Sequence, residues 1–363
     1  MILDKEPNFS LNKVTQLSGK KQHDILVKAL TEFLCEQLFI SYTGATDFSV
    51  DFCNKKFAEY YNASSFYLQF TDGEQLELDE GPPSFKDIVI AITKEGRLED
   101  HDSTDFKHSV LYQTLITKDD NDNTLTSGKI IEHIHGEIKY LEQSYFLVDG
   151  EWYLIDSSFI EDLNKECSQL IKRVIDDKLI SEKFNVNENE SDFNLKFINQ
   201  PNWLVFDTIT PNNMELCDIL KYDSSSIHLV HIKKGFDNSL RNLASQVIIS
   251  AKLLRADIRD KFKHIESVEE KTKKGLKSSS SNKKKIGGQI FPTGGLKEIF
   301  KYKQEKNIIF CLAFVDTAKT DRSIKTHLSQ FDSNIAKFML LELNREIKAM
   351  EFDFKIIQLQ KAY

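Results

Sequence analysis

The sequence predicts an α+β protein whose C-terminal half is an α/β unit built on a mixed sheet. Three observations carry that prediction. Residues 129–156 hold three strand-like runs in close succession, two of them joined by the hairpin dipeptide Asp149-Gly150. From residue 201 the runs follow the order β-β-β-α-β-α-β, and strands alternating with helices bury a sheet between helical layers. Residues 308–315 form one continuous apolar run, the pattern of a strand covered on both faces.

Each element has its own signal. Residues 22–40 place apolar side chains at helical spacing and read as an amphipathic helix. The segment 45–125 is mixed, with strand-like pieces at 66–70 and 88–92. The Asp/Asn run at 119–123 predicts an exposed loop. Strands are expected at 129–141, 144–148 and 152–156, then a helix over 158–180. Ser157 or Ser158 with Glu161 resembles a capping box at its start. The polar, Asn-rich stretch 183–200 marks a soft boundary. An N-terminal α+β domain is therefore expected over 1–195 and a second domain over 196–363. In the second, strands read at 203–207, 214–221 and 227–233, with a helix at 239–255. Residues 267–295 are rich in Lys, Ser and Gly and read as a flexible loop or linker. After the strand at 308–315, a helix over 332–350 and a strand over 352–359 close the chain.

Composition narrows the class. The chain has 363 residues, 40% hydrophobic and 29% charged, so it can build a sizeable core and is not globally disordered. Cys35, Cys53, Cys167, Cys217 and Cys311 are dispersed, with no C-x-x-C pair. Such spacing favours reduced thiols and a cytoplasmic address. The N-terminal residues MILDKEPNFSLNK lack the apolar centre of a signal peptide. No apolar run approaches the roughly 20 residues of a membrane span. Residues 255–306 carry 15 Lys/Arg against 7 Asp/Glu, which leaves the rest of a chain of net charge -8 near -16. A basic island on an acidic protein points to a local polyanion contact.

The densest chemistry lies between residues 215 and 246. Asp218 precedes His231 by 13 positions, and Lys233 follows at i+2. On one strand His231 and Lys233 share a face, because side chains alternate with period two. The turn Asp223-Ser-Ser-Ser226 folds the Asp218 strand back beside them. Phosphodiester cleavage needs a divalent cation to polarise the phosphoryl oxygens and activate water. It also needs a positive group near the attacked phosphorus, a role open to Lys233. Asp218 and His231 are the candidate metal ligands. Carboxylate oxygen suits Mg2+, and imidazole shifts preference toward Mn2+.

Asp218-(x12)-His231-x-Lys233 on adjacent strands, followed by a helix bearing Gln246, resembles the PD-(D/E)xK, or restriction-endonuclease-like, superfamily. The resemblance covers roughly residues 200–255. It implies a metal-binding Asp218, a Lys233 that assists attack and a supporting Gln246. His231 departs from the Glu, Asp or Gln usual at its position. The implied activity is metal-dependent nucleic-acid cleavage. The alternatives are a non-catalytic nucleic-acid-binding protein on the same fold, or a protein-interaction scaffold. Segments 145–153, 215–218, 231–233 and 239–254 also resemble a sporadically distributed bacterial family of unknown function. Its patchy distribution resembles that of anti-phage defence genes.

Other candidates are weaker. Glu215 needs a bulge to join Asp218, and Asp207 ends the preceding strand. Glu161 and Glu166 are candidate carboxylates from an earlier helix. His133 and His135 share a strand face, and the favoured reading makes it a solvent-facing one. His228 lies on the face opposite His231 and reads as structural. Asp316 and Asp321 read as loop residues. Lys271, Lys273, Lys274, Lys277, Lys283, Lys284 and Lys285 are the candidate phosphate contacts. The expected partner is nucleic acid, with DNA favoured over RNA. A protein partner or a second copy would engage the N-terminal half. No Walker or G-x-S-x-G pattern is present.

Overall fold

The computed structural model describes residues 14–44, 50–52, 54–56, 59–60, 63–78, 81–98, 102–209, 211, 215–237, 240–301, 307–318 and 320–362. Cys53, the expected strand residue Met214, the expected helix start Ser239 and the N-terminal thirteen residues lie outside this set. The chain divides into two compact units, residues 1–163 and 164–363.

The first unit begins with strand β1 (Val14–Gln16) and helix α1 (Lys21–Tyr42). In α1, Leu30, Leu34 and Leu38 repeat every fourth residue and are buried, so one stripe of the helix builds core. Next come β2 (Asp51–Phe52), β3 (Ser65–Gln69), β4 (Gln75–Glu77) and α2 (Phe85–Lys94). Residues 88–92 thus lie in a helix, not the expected strand. Ser84 and Asp87 close a reciprocal capping box, and Ile88, Val89 and Ile92 fall on one buried face. The short α3 (Ser103–Phe106) runs into one π-type turn (Lys107–Leu111) before β5 (Thr114–Lys118) and β6 (Thr124–Lys129).

Residues 129–141 are interrupted. The short helix α4 (Ile130–His133) precedes β7 (Ile134–Tyr140). The hairpin β8 (Gln143–Val148) and β9 (Glu151–Ile155) follows, its turn set by positive φ at Asp149 (53°) and Gly150 (80°). Two sheets result, in strand orders β1-β9-β8-β7-β2 and β4-β3-β5-β6. Helix α5 (Ser157–Val174) crosses the division between the units. Asp156 caps it, accepting from the Ser158 amide at 2.8 Å, in place of the expected Ser/Glu161 box.

The second unit starts within α5, earlier than the expected boundary at 195. Cys167, Leu170, Ile171, Phe184 and Phe193 already belong to its core. It continues through β10 (Phe184–Asn185), α6 (Glu190–Leu195), β11 (Trp203–Val205), β12 (Ile219–Tyr222) and β13 (Ser226–Lys234). Helix α7 (Leu240–Arg259) is followed by α8 (Lys263–Lys274), a 3-10 turn (Gly275–Lys277), α9 (Ser281–Gly287) and α10 (Leu296–Lys301). The unit ends with β14 (Asn307–Val315), α11 (Asn334–Ala349), β15 (Asp353–Leu359) and β16 (Lys361–Ala362). The main sheet has the order β11-β12-β13-β14-β15. β11, β12 and β13 form an antiparallel meander, and β13, β14 and β15 run parallel. The mixed sheet and the order of its five strands are those the sequence predicts. Eight of the nine β14 residues are buried, as a strand covered on both faces requires.

The segment 267–295 is not a loop. Ile265, Val268 and Thr272 give α8 a buried stripe, and Ile286 buries α9. The two helices meet through glycines. A Cβ on Gly287 would stand 2.5 Å from the Leu276 nitrogen, and one on Gly275 would stand 2.6 Å from the Lys283 oxygen. Lysine-rich composition hid a helical period that three apolar contacts suffice to satisfy.

Candidate active site of the C-terminal unit

The site forms where β11 ends, β12 begins and β13 finishes. Open α/β sheets bind ligands at the carboxyl ends of their parallel strands, and β13 ends there. The Phe206 amide donates to the Asp218 oxygen at 2.8 Å, which ties the two strand ends together. Asp207 follows at once and is buried. Ser191 and Asn194 on α6 hydrogen-bond its carboxylate. A sharp turn with Thr208 at φ 62° then sends the chain out. The Thr208 amide donates to Glu215 Oε1 at 2.9 Å, bringing that carboxylate back to the turn. The Asp218 amide donates to the Val230 oxygen, and Asp218 Oδ2 accepts from the Ile232 amide at 2.5 Å. The Asp218 carboxylate therefore extends the β12–β13 ladder where the backbone leaves it.

Three carboxylates interact here in a low-dielectric setting. Burial pushes Asp218 well above the usual range, and the Glu215 and Asp207 charges add to the rise. Glu215 is pushed up to about 8, first by burial and then by Asp207. Asp207 is raised by burial, against the pull of its Ser191 and Asn194 hydrogen bonds. Glu190 raises all three. Like charges withdrawn from water disfavour joint ionisation, so the site retains protons unless a cation compensates it.

Lys233 leaves β13 two residues after His231 and ion-pairs Glu190 at 3.5 Å. Glu190 Oε1 also accepts from the Lys234 amide at 2.7 Å. Glu190 thus links Lys233 to the carboxylates. Gln246 is half-buried on α7, one turn before Ser250. Residues four apart share a helix face, and Ser250 Oγ donates to the Leu216 oxygen at 2.6 Å. Gln246 therefore lies on the same face of α7 as Ser250.

His231 stands apart from this network. It is 2% exposed, lies over the Phe310 ring at 6.5 Å, and its Nε2 is buried without a hydrogen-bond partner. Burial alone pushes its imidazole down to about 3, with no carboxylate contribution. Among the described residues no group of three or more His, Cys, Asp or Glu is drawn together to hold a metal ion.

Glu161 and Glu166 are exposed on α5; the helix carboxylate that joins the cluster is Glu190, which sequence reasoning missed. Its one local signal was Asn189, which caps α6 by accepting from the Asp192 amide at 2.8 Å. His133 and His135 are fully buried, against the expectation of a solvent-facing strand. His133 bonds Asn54 at 2.9 Å and the Lys129 oxygen at 2.8 Å, and His135 pairs with Asp149 at 3.5 Å. His228 is buried beside Ser226. Asp316 is no free loop residue: Arg322 grips both its oxygens at 2.9 and 3.1 Å. Asp321 pairs with Lys361 at 3.3 Å.

All seven candidate phosphate-binding lysines are exposed on α8, the 3-10 turn and α9. This hairpin is pinned to the sheet edge. The Val205 amide donates to Gln289 Oε1, and Gln289 Nε2 donates to the Val205 oxygen, both at 2.8 Å. The described cysteines Cys35, Cys167, Cys217 and Cys311 are buried free thiols. No helix among the described residues is long and apolar enough to cross a membrane.

Compared with known proteins, residues 4–359 match one family, described as a family of unknown function (DUF6119). No curated protein and no solved structure matches the chain.

Proposed function

The chain belongs to the DUF6119 family, and from its own site we propose that it hydrolyses nucleic-acid phosphodiester bonds with a divalent cation. The observation that carries the proposal is the cluster of Asp207, Glu215 and Asp218 beside the Glu190–Lys233 pair, where burial raises each proton affinity and neighbouring carboxylates, Glu190 among them, add to the rise. Carboxylate oxygens are hard donors that suit Mg2+ or Mn2+. Mg2+ commonly takes one or two protein carboxylates and completes its shell with water and substrate phosphate. The donor chemistry therefore fits, although among the described residues no three ligands are gathered in advance.

Asp218 and Glu215 would hold the cation, and Asp207 would balance its charge. When bound, the cation supplies Lewis acidity toward a phosphoryl oxygen. Lys233 offsets negative charge that builds on the phosphoryl group. Glu190 holds Lys233 in place until substrate competes for it. Gln246 orients a neighbouring carboxylate or water. His231, which the sequence put forward as a ligand, packs against Phe310 and takes no part in holding the cation. Asp218 just before β12, Lys233 on the antiparallel β13, then a helix with Gln246 and a parallel strand, support the likeness to PD-(D/E)xK nucleases. DNA is the favoured substrate, with anti-phage defence in the cytoplasm as the setting. The N-terminal unit would serve recognition, regulation or self-association.

The test is cleavage of plasmid DNA and of RNA with Mg2+ or Mn2+, comparing the native chain with Asp218→Asn and Lys233→Ala. Cleavage that needs the cation and falls at least about 100-fold in both variants is expected, in line with losing one electrostatic stabiliser. The second reading is binding without cleavage, favoured by the lack of a pre-gathered ligand set among the described residues. Tight, salt-sensitive binding with no product under either cation would establish it.

A further inference from the structure

We infer that the helical hairpin of residues 263–290 docks duplex DNA and drives Leu276 between stacked bases. The inference rests on the nucleic-acid reading of this unit but not on cleavage. Residues 271–290 contain seven Lys and no Asp or Glu, and all seven lysines are exposed. This lysine-only stretch, which follows Glu266, Glu269 and Glu270 on the same helix, fits a phosphate backbone better than a protein face on which both signs mix throughout. Lys273 is partly engaged, pairing with Glu269 at 2.5 Å and lying 5.3 Å over the Phe291 ring.

The hairpin is a rigid body, not a tether. Gly275 and Gly287 let its helices touch backbone to backbone. Gln289, only 7% exposed, locks both its amide groups to Val205. Val205 lies two residues before Asp207, so the basic surface is fixed relative to the carboxylate cluster.

At the tip of this body stands an apolar group without a core to join. Leu276 occupies the 3-10 turn between Lys274 and Lys277 and is 55% exposed. Ile290, beyond the pinned Gln289, is 79% exposed. Exposed single apolar residues are ordinary. Here, however, two of the three large exposed hydrophobics described in this unit fall inside its lysine-rich segment. Leu and Ile side chains carried by cationic elements are the wedges with which proteins unstack and kink a duplex through the minor groove. A rigid mount matters for that work, because unstacking a base step requires a few kcal/mol that a flexible tip could not transmit.

The experiment uses the full chain in EDTA, where cleavage plays no part, and a DNA duplex carrying 2-aminopurine. Binding should raise the fluorescence several-fold as the base unstacks. Leu276→Ala should remove most of that rise while leaving the salt dependence of binding unchanged. Lys274→Ala with Lys277→Ala should lower the slope of log affinity against log salt by about 2, at about 0.9 per lost phosphate contact. Thermal melts of each variant check that the exposed substitutions leave the fold intact. Failure to bind duplex DNA at low salt would overturn the docking surface. Binding without a fluorescence rise, or a rise that survives Leu276→Ala, would overturn the wedge. A protein that kinks DNA but never cuts it would sink the hydrolysis and leave this inference standing.

Discussion

At Glu215 and Asp218 the fold sets charge against charge, and the consequence is measurable. Glu215 rises from its ordinary 4.5 to about 8, chiefly by burial. The folded chain therefore binds that proton more tightly than the unfolded chain. The linked stability is fully present below about pH 4.5, drains as pH rises, and is lost above about 8. Asp218 shifts in the same direction. The melting temperature should fall between pH 5 and 9, and Glu215→Gln should flatten that fall by removing a linked stability on the order of a few kcal/mol. A native profile flat over this window would refute the cluster's electrostatics. His231 runs the other way. Its imidazole is held down at about 3, so its contribution is intact above about pH 6.5 and lost as pH falls toward 3. His231→Phe keeps a ring against Phe310 and removes an unpaired nitrogen. It should raise stability near pH 5 without weakening cation binding. Loss of cation binding in a folded His231→Phe protein would return the histidine to the site.

At the scale of elements, the lysine hairpin makes the sharpest claim. Gly287→Ala pushes a Cβ against backbone atoms that cannot turn aside and should cost about 1–3 kcal/mol. Gln289→Ala strands the amide and carbonyl of Val205, at about 1–3 kcal/mol. Hydrogen exchange across 263–290 should rise in both variants while β14 stays protected. Equal protection would mean the hairpin is not held this way. The same region shows where local sequence is silent. A Lys/Ser/Gly run looks like linker because composition outweighs a stripe of only Ile265, Val268 and Thr272. At 88–92 five apolar residues carry no period, and the deciding signal, the Ser84–Asp87 box, stands outside the run. Glu190 was hidden for a related reason: the polar segment around it reads as a boundary, yet Phe184 and Phe193 anchor it in the core. The hairpin that brings the Asp218 segment beside Lys233 was legible because strand alternation and a tight turn are local rules.

Across the whole molecule, the order of the strands in the C-terminal sheet was readable, while the helices at 85–94, 130–133 and 263–287 and the division at residue 163 were not. A helix such as α5 has one continuous pattern, and nothing in that pattern marks where its packing partners change. Residues 183–200 look like a joint only until their aromatic residues are seen to be buried. Convergence is likewise a property of the fold. Asp207, Glu215, Asp218 and Glu190 come from separate turns and one helix, and only the folded sheet makes them neighbours. Their shared charge yields the central claim, that this corner of the C-terminal unit is built for a divalent cation. Calorimetric titration of Mn2+ into the full chain, in buffers of different ionisation enthalpy, tests it most directly. Binding should release protons at pH 7, release fewer at pH 9 once Glu215 is already ionised, and vanish in Asp218→Asn. No binding heat at either pH, or binding unchanged in Asp218→Asn, would contradict it.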